Sequence, residues 1–173
     1  MRVKLALGIV LVIFVSTYYF LTTKKNETSS IIITPTVIPL SPRVTQEVNI
    51  RAAFTIFTNG TLRIFTDSRY HNLSTDVYLQ ADNPNIVHIK KTGITWDLFF
   101  KTLPMQVSKE CLITGTKQTF CTNENGKLYF YINGNKDNDA LLREIKNGDK
   151  LLISYGNENE EIRVSQQKYI PQP

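Results

Sequence analysis

Nineteen consecutive residues without a charge, Leu5 to Thr23 (LALGIVLVIFVSTYYFLTT), constrain this chain more than any other feature. As a helix rising ~1.5 Å per residue, the run spans ~28 Å, about one bilayer hydrocarbon core. It has no polar face, so it does not read as a helix laid on a soluble core. Lys4 and Lys24 bracket it, and Tyr18, Tyr19 and Phe20 sit near one end, where aromatic rings favour the membrane interface. A cleaved signal peptide would need a shorter apolar centre and small residues before the cut. Bulky aromatics stand there instead. Residues 1–23 are therefore expected to be an uncleaved signal anchor, with the lipid bilayer as its partner. Arg2, Lys4 and the α-amino group on one side nearly balance Lys24 and Lys25 on the other. The short N-terminal arm then favours a cytoplasmic N-terminus and a C-terminal domain outside the cell membrane, crossed once.

The net charge of +5 gives little guide to partners. Four of the twenty basic residues and one of the fifteen acidic ones precede Ile31, which leaves sixteen against fourteen in the remainder. These charges are scattered, and a nucleic-acid surface would gather them on one face. No nucleic-acid partner is expected. Sequons at Asn26, Asn59 and Asn72 fit an exported domain. Asn26 and Asn72 are the candidate glycan acceptors, because Asn59 has a turn to make.

Residues 24–46 (KKNETSSIIITPTVIPLSPRVTQ) are rich in Ser and Thr and include Pro35, Pro39 and Pro42. Such a segment reads as a semi-stiff stalk. A folded domain is expected over 47–156, followed by a polar tail over 157–173. NIRAAFTIFTNGTLRIFT reads as a hairpin turned by Asn59-Gly60, since both central residues of a type I′ turn need positive φ. A two-residue loop pairs Phe57 with Leu62 and Phe54 with Phe65. A second hairpin is expected from Asp76 to Lys91 around DNPN, with Val77, Leu79 and Ala81 facing inward.

The one clear helix is GITWDLFFKTLPM. Thr95 is its expected N-cap and Asp97 sits in the first turn. Trp96, Phe99, Phe100 and Leu103 form one apolar stripe, read as a core face rather than a ligand-binding aromatic box, and Pro104 ends the helix. A third hairpin around Gly115 sets Cys111 opposite Cys121 if its loop is three residues long. KLYFYI (127–132) and Leu151–Tyr155 are further strands. Asn133-Gly134 and Asn147-Gly148-Asp149 are expected turns, and one short helix fits before Pro171. The predicted class is α+β: a mainly antiparallel sheet with one amphipathic helix and hairpin additions.

The succession VYLQADNPNIVHIKK, GITWDLFFKTL, KLYFYINGNKD and IKNGDKLLISYG resembles a β-grasp fold, as in ubiquitin and the sulfur-carrier proteins. The chain ends YIPQP and not Gly-Gly, so carrier chemistry is not implied. More narrowly, AAFTIFTNG, GITWDLFF, the two cysteines and ISYG are similar to a group of small membrane-anchored proteins of archaea and uncultured bacteria, some bearing a disulfide-isomerase name. Paired histidines in the second hairpin of that group imply a metal site. Here the matching positions are Tyr78, Gln80, His88 and Lys90, which leaves one of the implied ligands.

Cys111 and Cys121 favour a structural disulfide formed in an oxidising compartment. A redox pair and a half-site for a metal are the alternatives. Ten residues of spacing lack the C-x-x-C geometry that activates a thiol, and only His71 and His88 exist to complete a zinc set. His88 with Asp82 forms the candidate polar site, against a plain reading of His88 as a sheet-surface or core histidine. Asp137 and Asp139 in NGNKDNDA read as a solvated turn, since an EF-hand's glycine and distal Glu are out of register. No catalytic residue, metal or cofactor is expected. The leading function is an extracytoplasmic binding or interaction module for an envelope or extracellular protein or polymer. The alternatives are a metal-dependent or thiol-redox enzyme, and a structural subunit of an envelope assembly.

Overall fold

In a computed structural model of the chain, the structure describes residues 46–173. The expected anchor, all but the last residue of the stalk, and Asn26 lie outside the described residues. Among the described residues, no helix is long and apolar enough to cross a membrane.

The fold is built around β1, Glu47–Thr58, which is buried on both faces from Ala52 onward. Such continuous burial requires layers above and below. On one side β1 runs parallel to β10, Lys150–Gly156, with Phe54 opposite Leu151 and Ile56 opposite Ile153. β10 then pairs antiparallel with β8, Lys127–Ile132, and β8 turns into β9, Asn135–Lys136. On its other side β1 pairs antiparallel with two strands in succession. β4, Ile86–Lys91, takes its first half and β2, Thr61–Arg63, its last residues. β3, Val77–Leu79, lies outside β4. The sheet order is β3-β4-β1-β10-β8-β9, with β2 also on β1.

The Asn59-Gly60 turn forms as expected, with φ of 49° and 73°, and Phe57 stands opposite Leu62. The expected Phe54–Phe65 rung does not form, because β4 already occupies that edge of β1 as far as Ala53. Phe65 leaves the ladder, yet its ring meets that of Phe54 edge-on at 4.9 Å. The second hairpin buries Val77 and Leu79, but β3 ends there, so Ala81 lies exposed in the connecting bends.

Helix α1, Trp96–Thr102, follows β4 in the chain and packs its aromatic face into the main core. Thr95 caps it through its hydroxyl, which accepts from the Leu98 N–H at 3.2 Å. Leu103 turns extended before Pro104, the conformation a following proline imposes. Phe99 and Phe100 are buried against Phe54, and Trp96 is buried against those two rings. A separate three-stranded sheet follows: β5, Gln106–Val107; β6, Cys111–Ile113; and β7, Thr119–Cys121.

The short helix expected before Pro171 forms as α2, Glu160–Gln167, in the segment read as a polar tail. Asn159 caps it and Glu160 and Glu161 stand at its positive end, which favours helix there. Ile170 beyond it joins Ala53, Phe57, Ile86, Tyr131 and Leu152 in a second, smaller core. The main core, with Phe54, Trp96 and Ile153, occupies the opposite face. The fold is thus α+β and mostly antiparallel, with its sheet covered on both faces.

Candidate functional site

The cysteines come together as the hairpin spacing predicts. Cys111 faces Cys121 across β6 and β7, and their sulfurs are bonded with Cα atoms 4.1 Å apart. The Thr114 N–H donates to the Gln118 carbonyl at 2.9 Å, so the tip is a three-residue loop, and Lys117 within it takes a φ of 66°.

His88 is not joined to Asp82. On β4 it stands between Arg51 of β1 and Tyr78 of β3, both directly opposite it in register. The Tyr78 ring lies parallel to the imidazole at 5.3 Å. Asp82 is exposed in the β3–β4 connection and accepts from Asn83 at 3.1 Å. Burial, and then the charges of Arg51 and Lys90, push the His88 pKa below the ordinary histidine value, and Asp82 opposes them weakly. The His88 Nε2 is buried with no partner among the described residues. Gln80 lies just past the end of β3, and Lys90 donates to Asn49 at 2.8 Å. Among the described residues, no three His, Cys, Asp or Glu side chains gather as a metal would need.

Asp137 and Asp139 are each taken by a cation, Arg143 at 2.9 Å and Lys109 at 2.6 Å. The hydrogen bond from Arg143 holds the Asp137 carboxyl below the usual aspartate range. Asn72 is exposed, with a φ of 53°.

One apolar opening was not marked by any sequence motif. A cavity of about 220 Å³ lies where the β1–β2 hairpin meets the disulfide-bonded sheet. Ile56, Phe65, Met105 and Leu112, all buried, make its floor. Tyr70 and Gly115 form a wall so close that a Cβ on Gly115 would lie 3.0 Å from Tyr70 Cζ and nearer still to Oη. At the mouth Leu62 and Ile64 are exposed, Ile64 by 71%. Arg63 is held beside it: its Nε donates to Thr58 at 2.6 Å, its Nη1 to Gln118 at 2.9 Å, and its guanidinium lies over the Phe120 ring. The nearest sequence signal is Ile64 itself, an apolar residue one step past the part of the strand that β1 can pair.

No protein-family model, curated protein or solved structure matches the chain.

One further group of side chains escaped the sequence reading. Beneath α2, Gln166 is 3% exposed and neither end of its amide has a partner among the described residues. Thr55 Oγ1 and Ser154 Oγ, on the sheet below, are buried and equally unpaired. Around them, Tyr131 donates to Glu160 at 2.8 Å and Arg163 lies over the Tyr129 ring at 4.0 Å. Burial and the Glu160 contact raise the Tyr131 pKa to about 12.

Proposed function

We propose that this chain is a membrane-tethered recognition module. In this reading the 5–23 helix anchors it with the N-terminus in the cytoplasm. The Pro/Thr stalk carries the domain outside, and the cavity below Ile64 receives the partner, an envelope or extracellular component. One observation carries the choice of site: an apolar cavity whose mouth is formed by side chains the fold leaves exposed, Ile64 at 71% and Leu62 at 37%. A soluble domain exposes such residues singly without consequence, but beside a concave apolar floor they mark a binding site. The Cys111–Cys121 bridge supports the outside location, since such bonds persist in oxidising compartments.

The same reading takes the frame as β-grasp. The parallel β1–β10 pair lies at the centre, β4 and β8 flank it, and α1 comes between those two strands in the chain. In this frame β4 is the antiparallel neighbour of β1, reached through β2 and β3, and β3 is an edge addition. The similarity to small membrane-anchored archaeal and bacterial proteins belongs to the proposal as well. No observation singles out the enzyme or the assembly-subunit alternative.

The test uses xenon as a probe of the full chain in lipid nanodiscs with methyl-labelled Ile, Leu and Met. Xenon enters apolar cavities that are open to it. The expected result is a saturable shift of the Met105, Leu112 and Ile64 methyls. If these stay fixed under xenon in a folded protein, the cavity is closed and the site is wrong.

A further inference from the structure

Resting on that cavity as the recognition site, we propose that its occupant is an extended peptide segment. It would pair with the outer edge of β2 and lodge one large apolar side chain between Ile64, Met105 and Leu112.

The backbone of β2 leaves hydrogen-bonding groups unused on its outer edge. In a hairpin with a two-residue turn, the residues next to the turn form the hydrogen-bonded pair and the next rung does not. Thr58 and Thr61 flank the turn here, so Phe57 and Leu62 are the unbonded rung. The N–H and C=O of Leu62 therefore point away from β1. Ile64, two residues on, makes no backbone hydrogen bond among the described residues. An outward row of strand groups is a ready template for another extended chain. Proteins usually guard such an edge with Lys, Pro or a covering loop. Here the only charge on it, Arg63, is turned away to Thr58 and Gln118.

The cavity's size and position complement that edge. About 220 Å³ falls short of the ~300–1,000 Å³ typical of small-molecule sites. It suits one aliphatic or aromatic side chain better than a long acyl tail. Leu62 and Ile64 belong to both the strand edge and the cavity mouth. A chain bonded along that edge would thus place alternate side chains over the opening. Peptide addition uses both features, and an acyl chain would use only one.

The experiment titrates the same labelled full chain in nanodiscs with three probes: Ac-Thr-Leu-Thr-NH2, Ac-Thr-Ala-Thr-NH2 and octanoate. The leucine peptide is expected to shift the Leu62 and Ile64 amides together with the Met105 and Leu112 methyls. The alanine peptide should bind about tenfold or more weakly, for the apolar surface it lacks. Methylating the leucine nitrogen of the probe should weaken it further, and so should Ile64→Asp, which alters an exposed position. Octanoate moving the methyls while both peptides leave the amides unmoved would overturn the proposal in favour of an acyl-chain site. Xenon entry with no peptide binding would refute the peptide but leave the cavity reading standing, whereas exclusion of xenon would refute both.

Discussion

At the scale of single residues, His88 and Gly115 show how environment sets behaviour. Protonating His88 would place a charge on a half-buried ring that already faces Arg51 and Lys90, with only the exposed Asp82 in its favour. The folded domain therefore holds His88 neutral further into acid than the unfolded chain does. That preference adds stability above the unfolded value of ~6.5 and is lost as the pH falls from there through the folded value. The midpoint of urea unfolding should drop between pH 7.5 and pH 5, and His88→Gln should flatten the drop. An equal drop in the variant would assign it to other groups. Gly115 is required for space, because any side chain meets the Tyr70 ring. Gly115→Ala should cost ~1–3 kcal/mol by overpacking, and adding Tyr70→Phe should recover part of it in thermal unfolding. No recovery would mean the loop backbone, not the hydroxyl, sets the cost. The cysteine pairing was legible in the sequence because a hairpin fixes it locally. The link from His88 to Asp82 failed because Asp82 belongs to the connection, while the ladder brings up Tyr78 and Arg51. The Gly115 contact could not be read at all, since Tyr70 comes from a remote 3-10 turn, Ser68–Tyr70.

Among the elements, α1 and α2 mark the two extremes of legibility. Every rule for an amphipathic helix is met by α1, and its cap, stripe and end lie where periodicity puts them. In α2 the pattern is reversed. It buries Arg163 and Gln166 and leaves Ile162 and Val164 exposed by 44% and 51%. Periodicity could place a helix there but could not say that it docks or on which side. Docking this way leaves both ends of the Gln166 amide buried without a partner among the described residues, which costs ~1–3 kcal/mol per buried orphaned group. Gln166→Leu removes two such groups at nearly constant volume. It should slow hydrogen exchange of the α2 amides by about tenfold or more, with β10 amides changed less. Faster exchange in the variant would show that the amide has a partner stabilising the helix. The shortened β2 teaches the same limit: the turn was fixed by two residues, but the length of the strand was decided by β4 competing for the same edge of β1.

For the whole molecule, the decisive contact was the least visible. β1 and β10 pair in parallel although Phe54 and Leu151 are far apart in the chain. Nothing local in either strand names its partner, so alternation could give the strands and not their order. Anchor and compartment stand the other way round. They rest on sequence and on the one covalent crosslink, and they make a joint prediction. With the domain outside, the chain should remain in the membrane pellet after alkaline carbonate washing. External protease should digest the domain on intact cells, and alkylation should find no free thiol before reduction. Removing Cys111 and Cys121 together as serines should leave the membrane association intact while lowering stability by ~2–3 kcal/mol, because the proposed anchor and the bridge belong to different parts of the chain. A domain protected from protease, with two alkylatable thiols in freshly trapped membranes, would place it in the cytoplasm. The bridge would then not form there, the β6–β7 wall of the cavity would lose its clamp, and any peptide partner would have to be sought on the inner side.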